Sequence, residues 1–355
     1  MEKDLNKENL LVEEKKDCNL TTSSSNSEDE NLNNIHNDTQ EDKKQNESSS
    51  KTTKSKKKNN SKKTTIITAS GCALALLIGG VSGFFIAFAL SPKGFDYEGI
   101  DNSSIEDDVE AIYEDYLNSG NKDYLSYSPS DLANIAIYKY SLNEFTSSDI
   151  RSDATSLGVV QRTVGQSIKN SDEFFNESIS HSTFVKVAKR FYSVEDGFDI
   201  YSGNIQTTDQ GLSAEYTSDI FLDRESYEDT WGKTLDRPVI YNISSKTVLE
   251  GSSISQEENG NYIIDLKLDP VKSVVRYVKQ MIQMSSLSDA PEFDFVNVTF
   301  EVDSELNLLE MNVHEAYYVW VVGKNYTEAY LTETFHIYSE AKQIPSIEEK
   351  TYYED

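Results

Sequence analysis

Between Lys63 and Lys93 the chain runs for 29 residues without one charged side chain, and residues 66–90 within that run are mostly apolar or small. A helix needs roughly 20 such residues to cross the hydrocarbon core of a bilayer, so the pattern predicts a single transmembrane helix over residues 65–91. Seven lysines between Lys51 and Lys63 precede it, and six carboxylates between Asp96 and Asp108 follow it. Lysine marks the cytoplasmic side, which places the N-terminus in the cytoplasm and residues 93–355 outside a single-pass cell membrane. Ala87-Phe88-Ala89 has the small-x-small form of a cleavage site. A 64-residue leader and so long an apolar run exceed a cleaved signal peptide, so an uncleaved signal anchor is expected. Ala69-Ser70-Gly71-Cys72 imitates a lipobox but precedes the apolar run instead of ending it. Gly71, Ala75, Gly79 and Gly83 recur every four residues and make one small-residue ridge, along which two copies of the helix would pack as a homodimer.

The flanks of the run differ in composition. Residues 1–64 hold 13 lysines, 13 acids and long Ser and Asn runs, with almost no apolar residues beyond Leu10-Leu11-Val12. Such a segment buries too little to offset its chain entropy and is expected to be a disordered cytoplasmic tail. Its last part, residues 43–63, carries nine lysines and suits anionic headgroups. Residues 93–355 hold 20 basic against 48 acidic residues and so carry the whole net charge of −28. A polyanion is repelled by such a chain, which removes nucleic acid from the partners. The two cysteines, Cys18 and Cys72, offer no disulfide framework, and the long C-terminal region depends on its core alone.

The expected fold class is α+β: after the span come a helical extracellular segment over residues 92–150, a long curved antiparallel β-sheet covered by a helix over 151–340, and a C-terminal tail over 341–355. Ser104-Ile105-Glu106-Asp107 has a capping-box form before the helical spacing of Val109, Ile112, Tyr113 and Tyr116, and Gly120 would end that helix. Pro129 opens a second helix reaching about residue 145. From Val159 the apolar period falls to two. Strands are expected at 159–164, 183–192, 213–222, 239–244, 262–268, 296–302, 309–322 and 326–338, mostly as hairpins. A helix at 271–286 interrupts them, its stripe of Val274, Val275, Val278, Met281 and Ile282 suited to lie on the sheet.

Motifs for chemistry are missing. His314-Glu315 is not followed by a second histidine at zinc-protease spacing, and neither a phosphate loop nor a G-x-S-x-G elbow occurs, so no cofactor, metal or catalytic residue is expected. Asp303-Ser304-Glu305-Leu306-Asn307 begins like a calcium loop but lacks its Gly and closing Glu, and reads as a turn.

A tyrosine-rich antiparallel sheet with repeated hairpins and a covering helix at 271–286 resembles, in architecture, the half-barrel of bacterial lipoprotein-carrier domains and their surface-lipoprotein relatives over roughly residues 155–340. The resemblance implies an apolar ligand such as an acyl chain on the sheet. It carries no residue-by-residue motif, and the tether without a lipid attachment site departs from a shuttling carrier. Composition, tether and cysteine avoidance together resemble surface proteins of low-GC Gram-positive bacteria.

The function expected is therefore a membrane-tethered extracellular binding module, holding an apolar or lipid-like ligand or an envelope partner on its sheet. The alternatives are a cell-wall or glycan hydrolase using two carboxylates, and a transmembrane signalling protein. The candidate ligand-binding residues are Glu315, Glu333 and Tyr317. Alternation puts Glu315 on one face with Met311, Val313, Tyr317 and Val319, and puts Glu333 with Leu331 and Phe335. A turn at Gly323-Lys324-Asn325 would set Val322 opposite Tyr326 and Glu315 directly across from Glu333, where two carboxylates share a proton, bind a metal or receive a basic ligand group. A neighbouring base such as Lys186 or Arg190 would instead neutralise them.

Overall fold

The computed structural model describes residues 97, 100, 102–183, 185–232, 238–285, 287, 289–320 and 323–354. The tail at 1–64, the predicted span at 65–91 and its ridge of Gly71, Ala75, Gly79 and Gly83 lie outside the described residues.

The described residues correct the α+β expectation. Eleven strands form one antiparallel sheet, the helices are few and short, and no helix among the described residues is long and apolar enough to cross a membrane. The strands are β1 (Phe145–Ser156), β2 (Val159–Asn170), β3 (Glu173–His181), β4 (Lys186–Val194), β5 (Gly197–Thr208), β6 (Gly211–Asp223), β7 (Ser253–Gln256), β8 (Tyr262–Leu268), β9 (Glu292–Val302), β10 (Leu308–Trp320) and β11 (Lys324–Ile337). The expected strands at 262–268, 296–302, 309–322 and 326–338 correspond to β8 to β11. β1, β3, β5 and β7 were not expected, and the predicted helical segment gives way to β1 at Phe145. The reason is local. β1 alternates Ser148, Ile150, Ser152 and Ala154 against Asp149, Arg151 and Asp153, so neither face announces itself as apolar. The expected strand at 239–244 is a loop, tied to the α5 region by the Asn242 N–H, which donates to Ser273 O (2.8 Å), and closed on itself by Thr247 Oγ1, which donates to Asn242 O (2.7 Å).

The sheet order is β6-β5-β4-β3-β2-β1-β11-β10-β9-β8-β7. It consists of two meanders joined where the first strand meets the last, with Thr146 opposite Ile337 and Ser156 opposite Thr327. Directly paired residues share a face. The face that carries Glu315 is called inner below.

Five α-helices lie among the described residues: α1 (Asn102–Ile105), α2 (Val109–Ser119), α3 (Pro129–Ser141), α4 (Arg224–Trp231) and α5 (Val275–Ser285). Gly120 ends α2 in the left-handed conformation (φ 59°), as the sequence suggested, although the N-cap is Asp108 and not Ser104. In α3, Pro129 occupies the first turn and Ser128 Oγ accepts from the Asp131 N–H at 3.1 Å. Its buried side, Leu132, Ile135, Ala136 and Tyr140, joins one core with β8 to β11 and with Val274, Val275, Val278 and Met281 of the α5 region. Each of the larger aliphatic side chains contributes about 1.5–3 kcal/mol by leaving water, which holds the helices on the inner face. α4 seals the far end of that face, where Tyr227 and Trp231 pack on Phe191, Phe198 and Ile200.

The outer face of β2 to β6 is covered differently, by the C-terminal segment. Glu177 and Arg190, opposite each other on β3 and β4, form a fully buried ion pair (2.9 Å). Arg190 also donates to Ser346 O (2.8 Å), Tyr353 Oη donates to Glu177 (2.6 Å), and Thr351 Oγ1 donates to the same carboxylate. A β-bridge between Leu212 and Tyr353 completes the attachment.

Candidate functional site

Glu315 and Glu333 stand on the inner face, as alternation required, but not opposite each other. The hairpin closes with Trp320 opposite Lys324 and Tyr318 opposite Tyr326, so Glu315 pairs with Ala329, and Glu333 pairs with Met311. The last pair of the hairpin lies two residues earlier on each strand than the expected pairing of Val322 with Tyr326, which moves the partner of Glu315 by four positions, from Glu333 to Ala329. An even slip preserves the face and changes the partner. The two glutamates are thus four residues apart along β10, about 13 Å between their backbone positions. Burial, not a neighbouring carboxylate, governs Glu315.

Glu315 is 2% exposed and Glu333 8%. The Glu315 carboxylate accepts two tyrosine hydrogen bonds, from Tyr241 Oη and Tyr277 Oη, each at 3.0 Å. Burial raises its pKa from 4.5 to about 7, against the lowering effect of those two donors. Burial also raises both tyrosines well above their ordinary range, and the nearby Glu315 carboxylate reinforces this, so they stay protonated and remain donors. Three different elements converge here: β10 supplies Glu315, the 238–248 loop supplies Tyr241, and α5 supplies Tyr277. The loop is fixed on α3 by Asn134, whose Nδ2 donates to Ile243 O at 3.1 Å. Ring contacts run from Tyr241 to Tyr277 (5.2 Å between centroids), on to Phe293 (6.0 Å) and to Tyr317 (5.1 Å). Glu333 accepts from Ser148 Oγ of β1 at 2.5 Å, a contact that exists because β1 lies beside β11.

Glu315, Glu333 and Tyr317, the three residues singled out from the sequence, all line one cavity of about 160 Å³ between the sheet and its cover. Met281, Met311 and Leu331 are among its apolar residues, and Ser152, Thr163 and Asn176 are among the small polar groups on the β1 to β3 side. No Lys, Arg or His lines it among the described residues. Neither base expected to neutralise the glutamates does so: Lys186 is exposed, and Arg190 is committed to Glu177 on the outer face. Sequence reasoning missed Tyr241 and Tyr277. Tyr277 had a signal, since it falls three residues after Val274 and four before Met281, on the apolar side of α5; Tyr241, on an irregular loop, had none.

No group of three or more His, Cys, Asp or Glu side chains suited to hold a metal ion occurs among the described residues. Asp303 to Asn307 form a turn in which Asp303 Oδ1 accepts from the backbone N–H groups of Glu305 (2.8 Å) and Asn307 (2.9 Å). The chain matches no protein-family model and no curated protein, which leaves the geometry of the site to carry the functional argument.

Proposed function

We propose that this protein is a binding module held at the cell membrane by its charge-free run, with residues 93–355 on the outside, and that it takes a small amphiphilic ligand between its sheet and helical cover. The observation that carries the reading is the cavity at Glu315 and Glu333. The apolar core forms part of its wall through Met281, Met311 and Tyr317, and there aromatic, apolar and hydrogen-bonding groups face a shared space. Ligand sites combine an apolar lining with a few placed polar groups in this way. The lysine and carboxylate asymmetry around the run supports the orientation.

The full chain, purified in a non-ionic detergent and examined by native mass spectrometry, is expected to retain a small bound molecule that a cavity-filling variant, Leu331→Trp, excludes. Equal ligand occupancy in the variant would refute the site. Protease added to intact cells should digest residues 93–355 and spare the tail; digestion of the tail alone would reverse the orientation.

A further inference from the structure

We propose that the cavity selects an organic cation, a primary ammonium on a short apolar body, with the Glu315 carboxylate as the partner of the ammonium group. This rests on the reading of the cavity as a ligand site and adds the chemical class of its ligand.

The argument starts from how this fold treats its buried carboxylates. Glu177 is fully buried and is matched by Arg190, with three further hydroxyl donors from Tyr216, Thr351 and Tyr353. Glu315 is also buried, yet among the described residues no Lys, Arg or His lines the cavity that it faces. Among the described residues, the titratable groups that line the cavity around it are Tyr241 from the loop, Tyr277 from α5, Tyr317 on its own strand and Glu333 from β11. An unmatched carboxylate in such a place is expensive unless a cation joins it. Two tyrosine bonds leave acceptor capacity, because an ionised carboxylate offers about four lone-pair sites. An ammonium donates into those sites.

The remaining walls fit the same ligand. Tyr241, Tyr277 and Tyr317 surround the carboxylate with aromatic rings, the surface that attracts ammonium groups when water is excluded. Met281, Met311 and Leu331 offer an adaptable apolar surface for the body of the ligand. Glu333 adds a second carboxyl group at the other end of the space. With Glu315 titrating at about 7, the binding-competent, ionised form dominates only above neutrality. Apparent affinity scales with that fraction, which gives binding about thirtyfold tighter at pH 8.5 than at pH 5.5 for a ligand whose charge is constant over that range.

The test compares three ligands of one shape, pentylammonium, 1-pentanol and pentanoate, by isothermal titration calorimetry with the full chain in non-ionic detergent at pH 5.5 and pH 8.5. The expected result is selective binding of pentylammonium, strengthened at pH 8.5, weakened at least tenfold in Glu315→Gln and no longer pH-dependent there. Tyr277→Phe keeps the ring and removes one donor, so it should move the midpoint of the pH profile upward without abolishing binding at high pH. Binding of pentanol or pentanoate in preference to the ammonium would overturn the cation while leaving the ligand site standing. Binding of pentylammonium that is unchanged in Glu315→Gln would also overturn it. If none of the three binds at either pH, the cation and the ligand site fall together.

Discussion

Replacing Glu315 by Gln should make the protein more stable in neutral and alkaline solution, and the gain can be worked from the site. The folded carboxyl titrates at about 7 and an unfolded one near 4.5. The raised value means that the folded state holds its proton longer than the unfolded chain. The stability this group supplies is therefore complete below pH 4.5 and is lost as the pH climbs through 7. A difference of about 2.5 units corresponds to a loss of about 3 kcal/mol. Burial of the carboxylate is complete, so water does not screen the effect away. Glutamine occupies the same volume and never ionises. Its carbonyl still accepts from one tyrosine, while the other must turn to accept from the amide. Subtracting the urea unfolding free energy of the parent from that of Glu315→Gln at each pH cancels every other titrating group. Trp231, which is buried, provides the fluorescence signal. The difference should grow by about 3 kcal/mol in favour of Gln between pH 4 and pH 8.5, most of it between 4.5 and 7. A difference that stays constant with pH would show that Glu315 ionises in the folded protein at no cost, and would refute the reasoning.

Arg190→Met strands the Glu177 carboxylate beneath the C-terminal segment and should cost about 3–5 kcal/mol. Pairing it with Glu177→Gln should recover part of that loss, and in the single variant the amides of residues 345–353 should exchange with deuterium much faster; unchanged exchange would mean that the pair does not fasten the segment. Gly165→Ala places a methyl 2.2 Å from the Glu177 carbonyl oxygen, so β2 and β3 must part locally at a cost of about 1–3 kcal/mol, read as a lower urea midpoint. A variant as stable as the parent would contradict the close approach of the two strands.

Local periodicity determined a good deal of this protein. The strand at 262–268, the helix stripe from Val274 to Met281 and the stop at Gly120 were legible because a repeat of two or 3.6, or a single left-handed residue, is a property of a few neighbouring residues. The inward orientation of Glu315, Tyr317 and Glu333 was legible for the same reason, since alternation fixes the face. Strands β1, β3 and β5 were not, because polar inward residues such as Ser148, Ser152 and Ser178 erase the contrast between faces.

Partner identity belongs to the tertiary structure alone. The closure of one hairpin set Glu315 against Ala329 in place of Glu333, and the pairing of β1 with β11 brought Ser148 to Glu333 across 185 positions of sequence. The packing of a loop and a helix delivered Tyr241 and Tyr277 to the carboxylate, while Arg190, one of the bases expected to neutralise it, lies on the other face and is taken by Glu177. Parity along a strand is settled by the backbone of that strand; which side chain lies across from it depends on turn closure, strand order and packing, all of them contacts between residues far apart in the chain.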